Sequence, residues 1–111
     1  MTVRQICEKF NFTLLAGADG IEKQVTGCYV CDLLSLVMSR ASPGDAWVTV
    51  QTNVNVAAVA LLTETACVIL PENIKPDGIT ASKADIEGIP ILSSEKTAFE
   101  LAVLLNGVIS K

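Results

Sequence analysis

The chain has 111 residues, half of them apolar, which is enough for one domain whose core needs no disulfide or metal. The net charge is −4 and the eight lysines and arginines are scattered singly, so no basic stripe is available for nucleic acid. The absence of histidine removes the commonest general base, the Ser-His and Cys-His dyads and every metal site that needs an imidazole.

The longest apolar run, Val56–Leu62, is far shorter than the roughly 20 residues of a membrane span. Polar residues rather than an apolar signal segment follow Met1. We therefore expect a cytoplasmic protein with neither a membrane nor a nucleic acid as a partner. Residues 1–111 are expected to form a single domain.

The first third of the chain gives signals for one helix and two short strands. Thr2–Gln5 has the S/T-x-x-E/Q form of a capping box, and the apolar spacing after it predicts a helix over Val3–Phe10. Strand-like runs follow at Phe12–Leu15 and Gln24–Val30, separated by glycines. An antiparallel pairing of these two runs is compatible with their spacing.

Two further helices and a strand follow. Asp32 is a residue type that caps helices, and a helix is predicted over Leu33–Arg40, where S-P-G ends it. Ala46–Val50 reads as a strand, Gln51–Asn55 as a polar turn, and Val56–Leu62 as a helix that is apolar on nearly every side.

The last part of the chain gives two strands and two helices. A strand is predicted at Cys67–Leu70 and a weak helix at Thr80–Glu87. A short strand is predicted at Ile89–Leu92, and the final helix should begin at Thr97–Glu100. Gly88 should end the weak helix, and a second capping box opens the final helix, which is expected to reach about Ile109.

The strands lack polar alternation and are separated by helices of about ten residues, which is typical of βα crossovers. The sequence thus predicts an α/β fold with about five mostly parallel strands and helices on both faces of the sheet. The strand order stays open.

A C-x-x-C pair, Cys28 and Cys31, is the first candidate for chemistry. Redox dithiols and half zinc sites share this spacing, and two structural cysteines give it equally well. A redox thiol should start a helix, whereas Cys28 lies inside a predicted strand. Cys7 and Cys67 sit in apolar segments and are expected to be small core residues. No metal site is expected, and Trp47 reads as a core or interface anchor.

The polar turn after the third strand is the better candidate for a ligand site. Thr49, Gln51, Thr52, Asn53 and Asn55 lie between a strand's carboxyl end and a helix, where open α/β sheets bind ligands. The other interpretation is plain helix capping, because threonine and asparagine are good cap residues, and both roles can hold together.

Asp32 and Ser35 occupy the same place on the preceding βα unit, where capping again competes with a role in binding. An aspartate without a histidine, lysine or second carboxylate nearby in sequence makes a poor catalytic site. No G-x-x-x-x-G-K-S/T phosphate loop is present, so no kinase or nucleotide-hydrolysing centre is expected.

Two segments, Y-V-C-D-L-L-S-L-V-M and W-V-T-V-Q-T-N-V-N-V-A-A-V-A, followed by C-V-I-L and G-I-P-I-L-S-S-E-K-T-A-F-E, carry a resemblance to a known family. They resemble stand-alone DRTGG-domain proteins, over about Val3 to Ile109. Such domains are accessory modules of phosphotransacetylases and CBS-containing pyrophosphatases, and their fold is related to the N-terminal domain of HPr kinase. The resemblance implies no kinase activity, which belongs to a separate P-loop domain.

The sequence departs from the pattern that names the family. Thr52 and Asn53 stand where its Asp and Arg fall, and Pro71–Asn73 stands in place of Thr-Gly-Gly. Loss of the arginine and of both glycines weakens any anion-binding role that the resemblance would imply. The resemblance also places a small residue at Cys31, which favours a space-filling cysteine there.

Together these observations predict a non-catalytic regulatory or accessory domain that binds no cofactor. Its mean hydropathy of +0.49 and low charged fraction of 18% favour a homodimer. A small polar ligand or a partner protein is the expected second partner. The alternative is a redox-responsive or metal-binding module that uses Cys28 and Cys31.

Overall fold

Within residues 1–109, the part of the chain that the computed structural model describes, five α-helices and five strands form one α/β domain. The helices are α1 (Val3–Phe10), α2 (Leu34–Arg40), α3 (Asn55–Thr63), α4 (Gly78–Glu87) and α5 (Ala98–Asn106). The strands are β1 (Thr13–Ala16), β2 (Gly27–Val30), β3 (Asp45–Val48), β4 (Cys67–Leu70) and β5 (Ile91–Ser93).

The strands form a single sheet in the order β1-β5-β4-β3-β2. Strands β2 to β5 run parallel, and β1 pairs antiparallel with β5, with Thr13 opposite Ser93. The predicted α/β fold with a mostly parallel five-stranded sheet is therefore confirmed.

The possible antiparallel pairing of the first two strands with each other is wrong, because β1 and β2 lie at opposite edges of the sheet. The connection between them pairs with the N-terminal segment instead. Val3 N donates to Lys23 O, and Val25 N donates to Met1 O. These bonds hold the connection outside the sheet, so β2 begins only at Gly27 rather than at Gln24.

The sheet separates two apolar cores, as expected for helices on both faces. On one face, α1 and α5 bury Val3, Ile6, Leu101 and Leu105 against the sheet. On the other face, α2, α3 and α4 bury a second set, Val37, Val56, Ala57, Val59, Ala60 and Ala84. Trp47 belongs to this second core and is fully buried, with its indole N–H donating to Cys31 O at 2.9 Å.

Several predicted boundaries are confirmed. Helix α1 and strand β4 have the predicted limits, and both capping boxes form. Gly88 ends α4 with φ = +66°, a left-handed conformation that glycine adopts at little cost.

Other boundaries differ from the prediction for local reasons. Strand β5 begins at Ile91 rather than Ile89, since Pro90 has no N–H to give to a sheet ladder. Helix α5 ends at Asn106 rather than near Ile109, because the N–H of Gly107 turns back to Leu104 O. None of the helices within residues 1–109 combines the length and the apolar character that crossing a membrane requires.

Candidate functional site

The carboxyl ends of the four parallel strands meet along one edge of the sheet, where open α/β folds bind ligands. Two groups of polar residues lie there. The first follows β2 and β3 and is called the Asp32 network below: Asp32, Thr49, Gln51, Asn53 and Asn55. The second follows β4 and β5 and is called the Asn73 cleft: Phe10, Asn11, Thr13, Asn73 and Ser93–Lys96.

Asp32 does not cap α2, so the predicted capping role is wrong. The N-cap is Leu33, which lies one residue closer to the helix, and no side chain caps that end. The Asp32 carboxylate reaches the loop after β3 instead. Its Oδ1 accepts 2.9 Å hydrogen bonds from the Thr49 hydroxyl and from Val50 N. Asp32 thereby joins the loop after β2 to the loop after β3.

The remaining side chains of the Asp32 network continue this chain of hydrogen bonds. The buried Thr49 hydroxyl accepts from Gln51 N at 3.2 Å, and Gln51 Nε2 donates to Asp32 O at 3.0 Å. Asn53 Nδ2 donates to Gln51 Oε1 at 3.2 Å. Asn53 Oδ1 then accepts from Asn55 N at 2.9 Å. The polar side chains that the sequence marks as a ligand site thus largely bind one another.

The turn does contain a side chain that satisfies a helix N–H, as the capping interpretation predicts, but that side chain is not at the N-cap. The N-cap of α3 is Val54, which makes no side-chain cap bond. Asn53, one residue before it, satisfies an N–H of the first turn of α3 by accepting from Asn55 N.

Two other predicted site residues lie apart from the network. The Thr52 carbonyl accepts from the Thr80 hydroxyl at 2.8 Å and from Asp77 N at 3.1 Å, which ties the turn to the start of α4. Ser35 is exposed in the first turn of α2 and makes no hydrogen bond to the network within residues 1–109. The structure therefore brings five of the seven predicted residues into one network.

The Asn73 cleft is a polar depression of about 410 Å³. It lies where β4 and β5 end, beside the start of β1 and the end of α1. The sequence pattern did not predict these residues as a ligand site. The S-S-E-K run that follows β5 was the signal for them, since it is a polar segment at a strand's carboxyl end.

The loop after β4 has a backbone conformation that glycine favours. Glu72 and Asn73 have φ values of +56° and +57°, in the left-handed region where glycine is favoured. Their N–H groups donate to Lys96 O and Ser94 O, at 2.9 and 2.8 Å. The conformation of a glycine pair is thus present although both residues carry side chains, and the Asn73 side chain lines the cleft whereas that of Glu72 does not.

Most polar side chains of the cleft have no protein partner. Within residues 1–109, the side chains of Asn11, Thr13, Asn73 and Glu95 make no hydrogen bond or ion pair. Ser93 is only 4% exposed and its hydroxyl also has no hydrogen-bond partner in that part of the chain. The cleft therefore differs from the Asp32 network in leaving its hydrogen-bonding groups open.

Cys28 and Cys31 pack on opposite faces of the sheet. Cys28 contacts the core under α1 and α5, whereas Cys31 contacts the core under α2, α3 and α4. Residues three apart on an extended segment point in opposite directions, which explains the separation. This arrangement disfavours a dithiol or a shared metal site. Within residues 1–109, no group of three Cys, Asp or Glu side chains comes together in a way that could hold a metal.

The other two cysteines lie in the core under α1 and α5. Cys67 is fully buried, and burial raises the pKa of its thiol far above the usual value. Burial also raises the pKa of the half-buried Cys7 thiol. Both shifts disfavour the thiolate, which is the reactive form. These cysteines serve as small apolar core residues.

Comparisons with known proteins agree with this fold. The DRTGG domain model matches residues 5–108. None of the curated proteins matches the chain. The chain is similar to a crystal structure of the CBS and DRTGG domains of the regulatory region of Clostridium perfringens pyrophosphatase, complexed with the activator diadenosine tetraphosphate.

The likeness to the pyrophosphatase region has a TM-score of 0.74 at 13% sequence identity, and covers 99% of this chain and 50% of that chain. The present chain thus spans about half the length of that structure, and the likeness shows a shared fold. Because the family model covers nearly the whole sequence, the chain belongs to the DRTGG family.

Proposed function

We propose that this chain is a non-catalytic regulatory or accessory domain that pairs with a second copy of itself and binds a small polar ligand or a partner protein. The observation that carries the proposal is its membership of the DRTGG family over residues 5–108. The similar pyrophosphatase region is regulatory and was crystallised with an activator, which supports the same kind of role here. In this proposal residues 1–111 act as one domain in the cytoplasm.

A non-catalytic role is supported by the residues available for chemistry. The sequence has neither a histidine nor a phosphate-binding P-loop. The carboxylate of Asp32 is already engaged by two donors from the loop after β3. Its hydrogen bonds therefore suit the joining of two loops better than proton transfer.

Helix α5 offers an exposed apolar surface for self-association. Leu101 and Leu105 face the core, while Phe99 and Val103 on the opposite side are 77% and 56% exposed. Phe99 and Val103 are one turn apart and so form a continuous apolar stripe. They line a shallow apolar groove of about 230 Å³ together with Leu104.

The charges beside this stripe fit a second copy of the same chain. Lys96 and Glu100 flank the groove and carry opposite charges. In a two-fold interface the same patch meets itself, so Lys96 of each copy would face Glu100 of the other. Hydrogen bonding by the Thr97 backbone N–H and hydroxyl, with help from Lys96, lowers the pKa of Glu100. Glu100 is therefore ionised at neutral pH, and we expect dimerisation to be constant from pH 8 down to about pH 5.

Light scattering of the purified protein at tens of micromolar tests this part of the proposal. We expect a dimer mass for the wild type and a monomer mass for Phe99→Ser. The matched control is Ile86→Ser, which replaces a side chain that is 78% exposed on α4, on the other side of the sheet, and should stay dimeric. A wild-type monomer would overturn self-association, and dissociation by both variants would overturn the α5 interface.

The ligand part of the proposal has two candidate places at the carboxyl edge of the sheet. One is the predicted set, Asp32, Ser35, Thr49, Gln51, Thr52, Asn53 and Asn55. The other is the Asn73 cleft. A thermal-shift screen of nucleotides, sugars and phosphorylated metabolites tests for a ligand at either place, because a ligand that binds the folded state raises the melting temperature. If no compound raises it, the domain acts through protein contacts instead.

The alternative function, a redox or metal module built on Cys28 and Cys31, makes a separate prediction. It requires elemental analysis to find about one metal ion per chain, lost in the double variant Cys28→Ala, Cys31→Ala, or a change in folding with redox state. We expect neither, since the two side chains pack against different cores.

A further inference from the structure

We propose that the Asn73 cleft binds a small polyhydroxylated molecule that carries one anionic group, with the chemistry of a sugar monophosphate. The inference rests on the proposed ligand-binding function and assigns the place and the ligand class. The sequence pattern predicts a ligand site at the residues of the Asp32 network, whereas the hydrogen-bonding groups without protein partners are in the cleft.

The hydroxyl of the almost fully buried Ser93 is the strongest single observation. The residue is 96% buried and lines the cleft, and its hydroxyl has no hydrogen-bond partner within residues 1–109. No fully buried side-chain N or O atom in that part of the chain lacks a partner, so the small exposed area of Ser93 must include its hydroxyl. Because this hydroxyl opens into the cleft and no protein group binds it, both its donor and its acceptor capacity are unused. The hydroxyl is therefore positioned to bind a molecule in the cleft.

The surrounding groups set the charge of that molecule. Among the lining residues within 1–109, Lys96 carries the single positive charge and Glu95 the single negative charge. Lys96 and the amide N–H groups of Asn11 and Asn73 can donate to one phosphate or carboxylate. Glu95 and the amide oxygens can accept from hydroxyls. A polyphosphate would face one cation and a net charge of −4 on the chain, which disfavours it.

The shape of the cleft agrees with a small ligand. Its volume of about 410 Å³ lies in the lower part of the range of small-molecule sites. Phe10 provides one apolar wall, against which the carbon face of a sugar can pack. The bonds from Glu72 N and Asn73 N to the loop after β5 hold its two sides together, so the cleft is already formed without a ligand.

Amide NMR of the isotope-labelled protein, titrated with ribose 5-phosphate at up to tens of millimolar, tests this assignment. Ribose and inorganic phosphate are the comparison probes. We expect shifts of the amides of residues 10–13, 72–74 and 93–96, with ribose 5-phosphate binding more tightly than either comparison probe. Ser93→Ala and Asn73→Gly should each weaken binding about three- to tenfold, since each loses one hydrogen-bonding group.

Glu72→Gly is the matched control. Glu72 shares the left-handed backbone of Asn73 in the same loop but does not line the cleft, so this variant should bind ribose 5-phosphate as the wild type does. If ribose 5-phosphate shifts no amide, or shifts those of residues 49–55 instead, the assignment is overturned. Equal weakening by Glu72→Gly and Asn73→Gly would overturn it too. The regulatory function would survive each of these results, because it fails only if the broad ligand screen and the test of self-association both fail.

Discussion

The Asp32 network and the Asn73 cleft lie along the same edge of the sheet and are built from similar residue types, yet their side chains are used differently. In the network, a carboxylate, a hydroxyl and two amides bind one another and the loop backbone. In the cleft, the Glu95 carboxylate, the Ser93 hydroxyl and the amides of Asn11 and Asn73 have no protein partner within residues 1–109, whereas the Ser94 hydroxyl accepts from Lys96 N. Polar residues after a parallel strand therefore indicate a ligand site only where the fold leaves their hydrogen-bonding groups open.

The largest expected effect comes from removing the centre of the network. Asp32→Ala should lower the free energy of unfolding by about 2 kcal/mol, because the hydroxyl of the buried Thr49 loses its acceptor, whereas water can reach the exposed Val50 N. Urea unfolding followed by circular dichroism measures this. The matched control is Glu95→Ala, which removes a carboxylate of the cleft and should change stability by less than about 0.5 kcal/mol. Similar losses in both variants would remove the distinction between the two regions.

A smaller effect, of opposite sign, is expected in the loop that borders the cleft. Glu72→Gly should raise the free energy of unfolding by about 1 kcal/mol, because Glu72 holds φ = +56° with a side chain that disfavours it. Thermal and urea unfolding measure the change. Lys75→Gly, in the same loop at a residue without positive φ, should instead lose about 0.5–1 kcal/mol. A loss in both variants would mean that the glycine-like conformation carries no strain.

The smallest of these effects concerns the edge of the network. Gln51→Ala should lower the free energy of unfolding by only about 0.5–1 kcal/mol, since its side chain is half-exposed and water can replace its bonds to Asp32 O and Asn53. The variant should also keep any thermal shift that a ligand produces in the wild type. If Gln51→Ala abolishes that shift, the ligand binds at the network and the originally predicted residues form the site.

The sequence predicted the fold well because its signals were local. Each of these signals depends on a few neighbouring residues: the capping boxes at Thr2 and Thr97, the left-handed helix end at Gly88, and the apolar run Cys67–Leu70. The strand order depends on contacts that no local pattern encodes. The hydrogen bonds of Val3 N and Val25 N, which pair the segment before β2 with the N-terminal segment, are an example.

The candidate site was harder to predict for the same reason. The residue types at Gln51–Asn55 predict a polar turn, but whether its groups bind a ligand or one another depends on the distance to the loop that carries Asp32. The cleft could not be predicted because Asn73 and Ser93, which both line it, are far apart in sequence. The loss of both glycines at Glu72 and Asn73 is read from the sequence as weakening an anion-binding role, and it gives no sign that both residues adopt the left-handed conformation.

One pair of variants tests the central contrast most directly, because each removes the hydroxyl of a residue that is almost fully buried. Thr49 is 2% exposed and its hydroxyl has two protein partners, whereas Ser93 is 4% exposed and its hydroxyl has none within residues 1–109. Urea unfolding of the ligand-free protein should show a loss of about 2 kcal/mol for Thr49→Val and less than about 0.5 kcal/mol for Ser93→Ala. Equal losses would show that the Ser93 hydroxyl is already satisfied within the protein, and would contradict the view that the cleft is open for a ligand.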